Sequence, residues 1–316
     1  MRKRWISRIC TGLVGAFVFG GIACGQALEP RAYSASPTGA NFVVAGAARS
    51  SGDVLLDPVL PVTDGHATVY PIIIGGGTTF NFFGRTALVV GVFPYAWATA
   101  TGKIGEQTPS VSRSGLADSR FRFSVNFIGG KALSLKQFLH SHQSTIVGAS
   151  LSVVAPMGQY DPQRLVNLGS NRWSFKPEVG VSHRVRKWTI EEYVGAWLFT
   201  ANNKFFPGDS VRTQRPVFAF QAHVSYTIKP RLWAAFNWTW YKGGTSAING
   251  IDTGVLYSNT RVGGTLSLPL YQQQSLKIAV SKGVTTRIGQ DFTTISAAWQ
   301  LSWFSRQNAT VKSPKP

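Results

Sequence analysis

Three polar residues in the second half of the chain have types and spacing that could form a nucleophilic site. His223 and Ser225 are two positions apart in a segment that alternates apolar and polar residues, so both side chains lie on one face of a strand. Asn237 follows on the polar face of the next such segment. A serine beside a histidine that a third polar group orients is the arrangement of serine hydrolases. The sequence therefore allows a hydrolase as an alternative function.

A second set of residues, most of them basic, also alternates with apolar neighbours. Such side chains would line the polar interior of a closed sheet, and positive charge there would favour anions or acidic aromatic compounds such as benzoates. An acidic residue in the set could pair with one of the bases. The predicted lumen-lining residues are Arg120, Arg122, Lys176, Glu178, Arg261 and Lys277.

The remaining candidates for chemistry are weak. Gly75-Gly76-Gly77 lies within a strand pattern, which favours backbone flexibility over a phosphate-binding loop. His140 and His142 are close in sequence, but no third metal ligand follows at a suitable spacing. We therefore expect neither a metal nor a cofactor.

The composition is typical of a wall with one apolar and one polar face. Hydrophobic residues make up 44% of the 316 positions and charged residues only 14%, whereas a soluble domain has about a quarter charged residues. Glycine (33) and tryptophan (10) are abundant, as in membrane barrels. The net charge is +19, but beyond residue 8 the bases are scattered singly. Nucleic-acid binding uses a focused basic patch, so we do not expect it.

The first 27 residues have the pattern of a cleaved signal peptide. Basic residues from Arg2 to Arg8 precede an apolar stretch, Ile9 to Ala23, and Gly25-Gln26-Ala27 offers small residues for cleavage. A retained anchor helix and a lipoprotein modified at Cys24 are the alternatives. Cleavage would remove both cysteines, Cys10 and Cys24, which suits an oxidising compartment. We expect export towards a Gram-negative outer membrane.

The mature chain is predicted to be all-β. Stretches of about ten residues alternate in polarity, as where Phe121 and Phe123 flank Arg122. No other segment has the roughly 18 apolar residues of a spanning helix. The pattern favours a transmembrane, antiparallel, up-and-down barrel of about twelve strands over residues 28–304. The expected strands are 39–50, 66–80, 85–101, 116–129, 144–157, 173–185, 188–202, 216–228, 231–243, 258–270, 274–286 and 291–303.

The connections predict the orientation of this barrel. Tight turns near Arg186, Pro230 and Gln272 alternate with long loops, which is the pattern of periplasmic turns and outer loops. The connection 129–143 is an exception, since it is long and could hold a short helix over 132–138. Residues 305–316 form a polar, basic tail. Two aromatic clusters fit interfacial girdles; they are Trp233, Trp238, Trp240 and Tyr241, and Trp299, Trp303 and Phe304.

The sequence resembles the outer-membrane proteins of the MetA-pathway of phenol degradation family. The resemblance is carried by Leu28–Ser34, Pro94–Trp97, Pro156–Glu178, Tyr241–Gly244 and Trp299–Trp303, of which the third is the most specific. It implies a barrel linked to the uptake of hydrophobic or aromatic compounds. Barrels of this kind usually end on an aromatic residue, and the tail after Phe304 departs from that pattern.

These observations favour a passive outer-membrane channel for small, hydrophobic or aromatic solutes. The alternatives are a lipid hydrolase, because the serine–histidine–asparagine spacing is similar to that of outer-membrane phospholipases, and a structural barrel without a pore. The expected partners are membrane lipid and lipopolysaccharide, the barrel-insertion machinery and a small solute. The sequence does not define the oligomeric state.

Overall fold

The structure, a computed structural model, describes residues 29–55, 63–103, 105–141, 144–254, 256–287 and 289–305. The signal-peptide prediction for residues 1–27, with both cysteines, lies outside the described residues. The same holds for His142 and for residues 306–316 of the tail. Within the described residues, no helix is long and apolar enough to cross a membrane.

Seventeen strands and one short helix make up the described part of the chain. In chain order they are β1 (Ala40–Leu55), β2 (Thr63–Phe82), β3 (Arg85–Lys103), β4 (Ser110–Leu116), β5 (Ser119–Ile128), α1 (Leu135–Leu139), β6 (Thr145–Ala155), β7 (Ser174–Val185), β8 (Trp188–Phe199), β9 (Asn202–Phe205), β10 (Ser210–Gln214), β11 (Val217–Lys229), β12 (Leu232–Gly243), β13 (Ser246–Ile248), β14 (Ile251–Asp252), β15 (Tyr257–Pro269), β16 (Gln274–Thr285) and β17 (Gly289–Phe304).

Twelve of these strands close into an antiparallel barrel, as the sequence predicts. They follow the order β2-β1-β17-β16-β15-β12-β11-β8-β7-β6-β5-β3, and β3 pairs back with β2. The first and last barrel strands pair from Ala40 opposite Phe304 to Leu55 opposite Gly289. Closure pairs the backbone groups of every strand with a neighbour, so the barrel has no open edge.

The strand that follows β3 in the barrel is broken into β4 and β5. The C-terminal half of β3 pairs with β4, where Tyr95 is opposite Leu116, and its N-terminal half pairs with β5, where Val92 is opposite Arg120. Between the two ladders, the amide of Ala117 donates to the carbonyl of Pro94 at 3.0 Å. The interruption leaves Asp118 outside both ladders, where its carboxylate can bind other groups.

The two faces of the barrel differ in polarity as the alternation predicts. On β12, Phe236 points outward and is 58% exposed, whereas Asn237 points inward and is fully buried. On β5, Phe121 and Phe123 face outward and Arg122 faces inward. An apolar outer wall suits a lipid environment, and the polar side chains enclose the interior.

The girdle prediction is wrong for three residues. Trp233 and Tyr241 are only 2% and 3% exposed, because they have the same parity along β12 as Asn237 and therefore point into the barrel. Phe304 has the parity of the buried Ser302 on β17 and packs against the inward-facing Phe42. Trp240, Trp299 and Trp303 are exposed on the outer wall.

The connections differ between the two ends of the barrel. At one end, the tight turns contain Arg186, Arg231 and Gln272 with positive φ, which matches the twist of the hairpins they join. The long connection at this end contains α1, capped by Ser134 and Gln137, as the expected short helix. At the other end, β14, β13, β10 and β9 form a separate four-stranded sheet from two loops. That sheet was not predicted.

Candidate functional site in the barrel interior

Residues 29–38, just before β1, lie inside the barrel. We call Glu29–Thr38 the N-terminal segment. It is fixed near the end of the barrel with the tight turns, where Thr38 N donates to Leu133 O at 2.9 Å and Thr79 Oγ1 donates to Pro37 O at 2.7 Å. Its other end reaches side chains of β5, β7, β8 and β11, as the contacts below show. The interior is therefore occupied by a segment of the chain that belongs to no strand.

Four of the predicted interior residues meet in one ion-pair cluster, which the N-terminal segment completes. Arg122 Nη2 lies 3.3 Å from Glu178 Oε1, and Lys176 Nζ lies 2.7 Å from Glu178 Oε2. Glu29 adds a carboxylate that lies 2.5 Å from Arg122 Nη1 and 3.5 Å from Arg120 Nη1. The three bases and two carboxylates of this cluster leave a single positive charge, so the interior here is less basic than the sequence predicts.

Tyr33 fills a slot in the barrel wall. Its ring lies over Gly148 of β6 and Gly180 of β7, which are direct partners in the sheet. A Cβ at Gly148 would be 2.5 Å from Tyr33 Cδ1, and one at Gly180 would be 2.3 Å from Cε2, so both positions exclude any larger residue while the ring is present. The Tyr33 hydroxyl lies 2.9 Å from Ser150 Oγ and donates to Glu178 Oε1 at 3.1 Å.

Arg31 links the N-terminal segment to β8, β11 and β12. Its guanidinium donates to Ser225 Oγ at 3.1 Å and to Thr227 Oγ1 at 2.7 Å, and its backbone amide donates to Glu191 Oε2 at 2.6 Å. The guanidinium carbon also lies 4.4 Å from the centre of the Trp233 ring. The Arg31 carbonyl accepts from Ser34 N at 3.3 Å.

The serine–histidine–asparagine set is not arranged as a nucleophilic site. His223 Nδ1 and Asn237 Oδ1 are 2.9 Å apart, as a triad would require, but Ser225 Oγ accepts its hydrogen bond from Arg31. Because Asn237 Nδ2 donates to Thr265 Oγ1 at 3.0 Å, its Oδ1 accepts from His223. All three side chains are fully buried inside the barrel. Lipid on the outer wall therefore has no path to the serine.

The other two predicted interior residues lie apart from the ion-pair cluster. Arg261 on β15 donates to Ser281 Oγ at 3.2 Å and to the carbonyl of Phe292 on β17. Lys277 on β16 has its Nζ 5.8 Å from the centre of the Trp233 ring. Both point inward, and each contacts a different part of the wall.

A long connection, residues 156–173, folds into the mouth of the barrel that lies opposite the tight turns. We call it the outer loop, after the orientation that the sequence predicts. It is held by Asp118, whose carboxylate accepts from Gly158 N at 3.0 Å and from Ser170 N at 2.8 Å and Oγ at 2.5 Å. Leu168 at its centre is buried against inward-facing apolar side chains of β2, β3 and β17. The interior is therefore narrowed at one end by the outer loop and at the other by the N-terminal segment.

Several of the residues in this site were not predicted as functional. Glu29, Arg31 and Tyr33 stand at alternate positions just before the first strand. That spacing is a signal that one face of an extended segment carries charge and an aromatic ring, and it could have placed them in the interior. His140, considered above as a metal ligand, instead has Nδ1 2.8 Å from Lys136 O.

Comparison with known proteins agrees with this architecture. An outer membrane channel from Pseudomonas putida F1 is 17% identical with a TM-score of 0.71, over 88% of this chain and 100% of that one. The β domain of the Bordetella autotransporter BrkA is 11% identical with a TM-score of 0.50, over 84% of this chain and 100% of that one. No curated protein sequence matches the chain significantly. The profile of the family described as "Putative MetA-pathway of phenol degradation" matches residues 63–307, and the chain belongs to that family.

Proposed function

We propose that the protein is an outer-membrane channel through which small, hydrophobic or aromatic solutes diffuse passively. The observation that carries this proposal is the way the interior is filled. A barrel of about eight strands can be filled by the side chains of its own wall, whereas this barrel has twelve strands, and its wall presents polar side chains such as Gln221, Asn237 and Thr239 to the interior. The obstructions are the N-terminal segment and the outer loop, and neither is part of the wall.

The charge of the interior supports a weak preference for anions. Arg120, Arg122 and Lys176 outnumber Glu29 and Glu178 by one in the ion-pair cluster. Arg31 and Glu191 add one charge of each sign nearby. Arg261 and Lys277, which also point inward, bring the excess among these residues to three positive charges, so the lumen suits benzoates as well as neutral aromatic compounds. We propose the six predicted interior residues as the lining of the solute path, with Glu178 paired to its neighbours.

The proposed location is the outer membrane of a Gram-negative cell. The apolar outer wall would face lipid, and the end with the tight turns and both termini of the barrel would face the periplasm. Export by residues 1–27, insertion by the barrel-insertion machinery and contact of the basic outer surface with lipopolysaccharide belong to this proposal. Residues 305–316 would form a solvated periplasmic tail.

Neither alternative function gains support from the interior. A lipid hydrolase would need Ser225 to be accessible and bonded to His223, and Ser225 is buried with Arg31 as its partner. A barrel without a pore would not need two separate obstructions that originate outside the wall.

The test is single-channel recording in planar bilayers together with solute uptake into proteoliposomes. We expect small conductance steps and uptake of phenol and benzoate. In a potassium chloride gradient, the reversal potential should lie on the side of the chloride equilibrium potential. Protein-free membranes provide the control. Absence of both conductance and uptake would refute the channel, and clear cation selectivity would refute the charge assignment.

A further inference from the structure

The slot that holds Tyr33 is shaped for a flat ring. Gly148 and Gly180 form its floor, and any side chain at either position would overlap the ring. Tyr193 meets the ring edge-on, with centroids 5.0 Å apart and planes at 73°. Edge-to-face contact is a favoured geometry for aromatic pairs. The slot therefore selects planar rings by shape.

The same slot also has contacts for the hydroxyl group and for the face of the ring. The guanidinium carbon of Arg122 lies 5.1 Å from the centre of the Tyr33 ring, within the range of a cation–π contact. Ser150 Oγ and Glu178 Oε1 both lie within hydrogen-bonding distance of the hydroxyl. A carboxylate acceptor favours a neutral hydroxyl donor over an anionic substituent, because like charges repel. The slot therefore fits a single aromatic ring that carries a neutral hydroxyl group.

We propose that this slot is an aromatic subsite of the lumen for neutral, hydroxylated single-ring solutes, and that Tyr33 is its internal occupant. The inference rests on the proposed channel function and gives it a solute class and a closed state. A solute that enters the slot replaces the Tyr33 ring, and the N-terminal segment then loses its central contact with the wall.

The other contacts of the segment with the wall are ion pairs and hydrogen bonds of side chains, chiefly those of Glu29 and Arg31. Residues 29–38 form no strand and pair with no neighbouring strand, so no β-ladder has to break when the ring leaves. A ring tethered to its own slot has an effective concentration in the millimolar range or above. Wild-type protein should therefore keep its own ring in the slot until solute reaches a comparable concentration.

The decisive variant is Tyr33→Gly, which removes the equivalent of p-cresol from the slot. In this variant we expect higher single-channel conductance than in the wild type. Added p-cresol should restore the lower conductance, because it takes the place of the missing ring and the segment can dock over it, whereas in the wild type p-cresol competes with Tyr33 and displaces the segment. Toluene lacks the hydroxyl and should require about tenfold higher concentration, which corresponds to about one net hydrogen bond to a charged acceptor. Equal potency of p-cresol and toluene, or no effect of either, would overturn the proposal.

Gly148→Ala in the Tyr33→Gly background is the matched control. Apart from Tyr33, the nearest atom to the new methyl group is Asn126 Oδ1, the end of a side chain that can move. The methyl group fills the floor of the slot, so p-cresol should lose its effect. Should p-cresol act equally on the single and double variants, the slot is not its binding site.

A measurement without conductance separates this inference from the channel proposal. p-Cresol should raise the thermal unfolding midpoint of detergent-solubilised Tyr33→Gly protein more than that of the double variant, whether or not the barrel conducts. If Tyr33→Gly does not assemble, Tyr33→Phe is the second variant. Its ring occupies the slot without the hydrogen bonds of the hydroxyl group. Its conductance should then rise at a lower p-cresol concentration than in the wild type. An identical response of Tyr33→Phe and wild type would count against the proposal.

Discussion

Glu29 and Arg122 form a buried ion pair, with 2.5 Å between Oε2 and Nη1 and 93 positions between them in the sequence. The carboxylate comes from the N-terminal segment and the guanidinium from the wall. A buried base without a partner is strongly unfavourable. The segment therefore contributes both an obstruction and part of the charge balance of the interior.

Glu29→Gln should increase the anion selectivity of the channel. The substitution keeps the size of the side chain and removes one of the two carboxylates that face Arg120, Arg122 and Lys176. The reversal potential in a potassium chloride gradient should shift towards that of chloride. Glu106→Gln, at an exposed loop position, is the control and should leave the potential unchanged. A shift towards potassium would contradict the role assigned to Glu29.

Asp118→Ala should release the outer loop. The carboxylate accepts from the Gly158 amide and from both the amide and the hydroxyl of Ser170, and alanine can replace none of these hydrogen bonds. We expect trypsin to cleave the intact barrel after Arg164 at least about tenfold faster, because local opening sets the cleavage rate. Asp209→Ala, at an exposed position, is the control. An unchanged cleavage rate would show that Asp118 does not hold the loop.

Phe236→Arg should destabilise the barrel in lipid by about 2–4 kcal/mol, as a cation does on the lipid-facing wall near the bilayer midplane. Phe236 is exposed at the middle of β12. Unfolding by guanidinium chloride in phospholipid vesicles measures the change. Phe236→Leu keeps the position apolar and should cost much less. Equal stability of the two variants would mean that this face does not contact lipid.

Ser225→Ala should not change lipid hydrolysis, because the wild type should have none. The Ser225 hydroxyl is fully buried and accepts from Arg31. Release of fatty acid from phospholipid vesicles by folded wild-type protein and by the variant is the measurement. Activity in the wild type that is lost in a correctly folded variant would restore the hydrolase alternative.

The strands of the barrel were predictable because alternation is a local property. The expected strand 216–228 differs little from β11, and the pairing of His223 with Asn237 follows from the tight turn between β11 and β12. The interior position of Arg122 follows from the same rule. The girdle prediction for Trp233, Tyr241 and Phe304 follows residue type instead of parity, which explains the error for these three residues.

The contacts made in the interior were not predictable in this way, although the alternate spacing of Glu29, Arg31 and Tyr33 is a signal for their position there. Tyr33 binds Ser150 across 117 positions, and Arg31 binds Thr227 across 196. Neither contact leaves a periodic pattern in the sequence. The role of Asp118 depends equally on a loop that returns to it from 40 to 52 positions away. Contacts between residues this far apart in the sequence can be identified only in the closed barrel.

The short distance in sequence between Tyr33 and the first strand sets how the protein would recover after solute leaves. Seven positions separate Tyr33 from Ala40, which is fixed in β1, and an extended chain of that length spans at most about 25 Å. A displaced segment stays tethered at the mouth of its own barrel. Its return is then a unimolecular event, with a rate that depends on neither the number of barrels in the membrane nor any second protein.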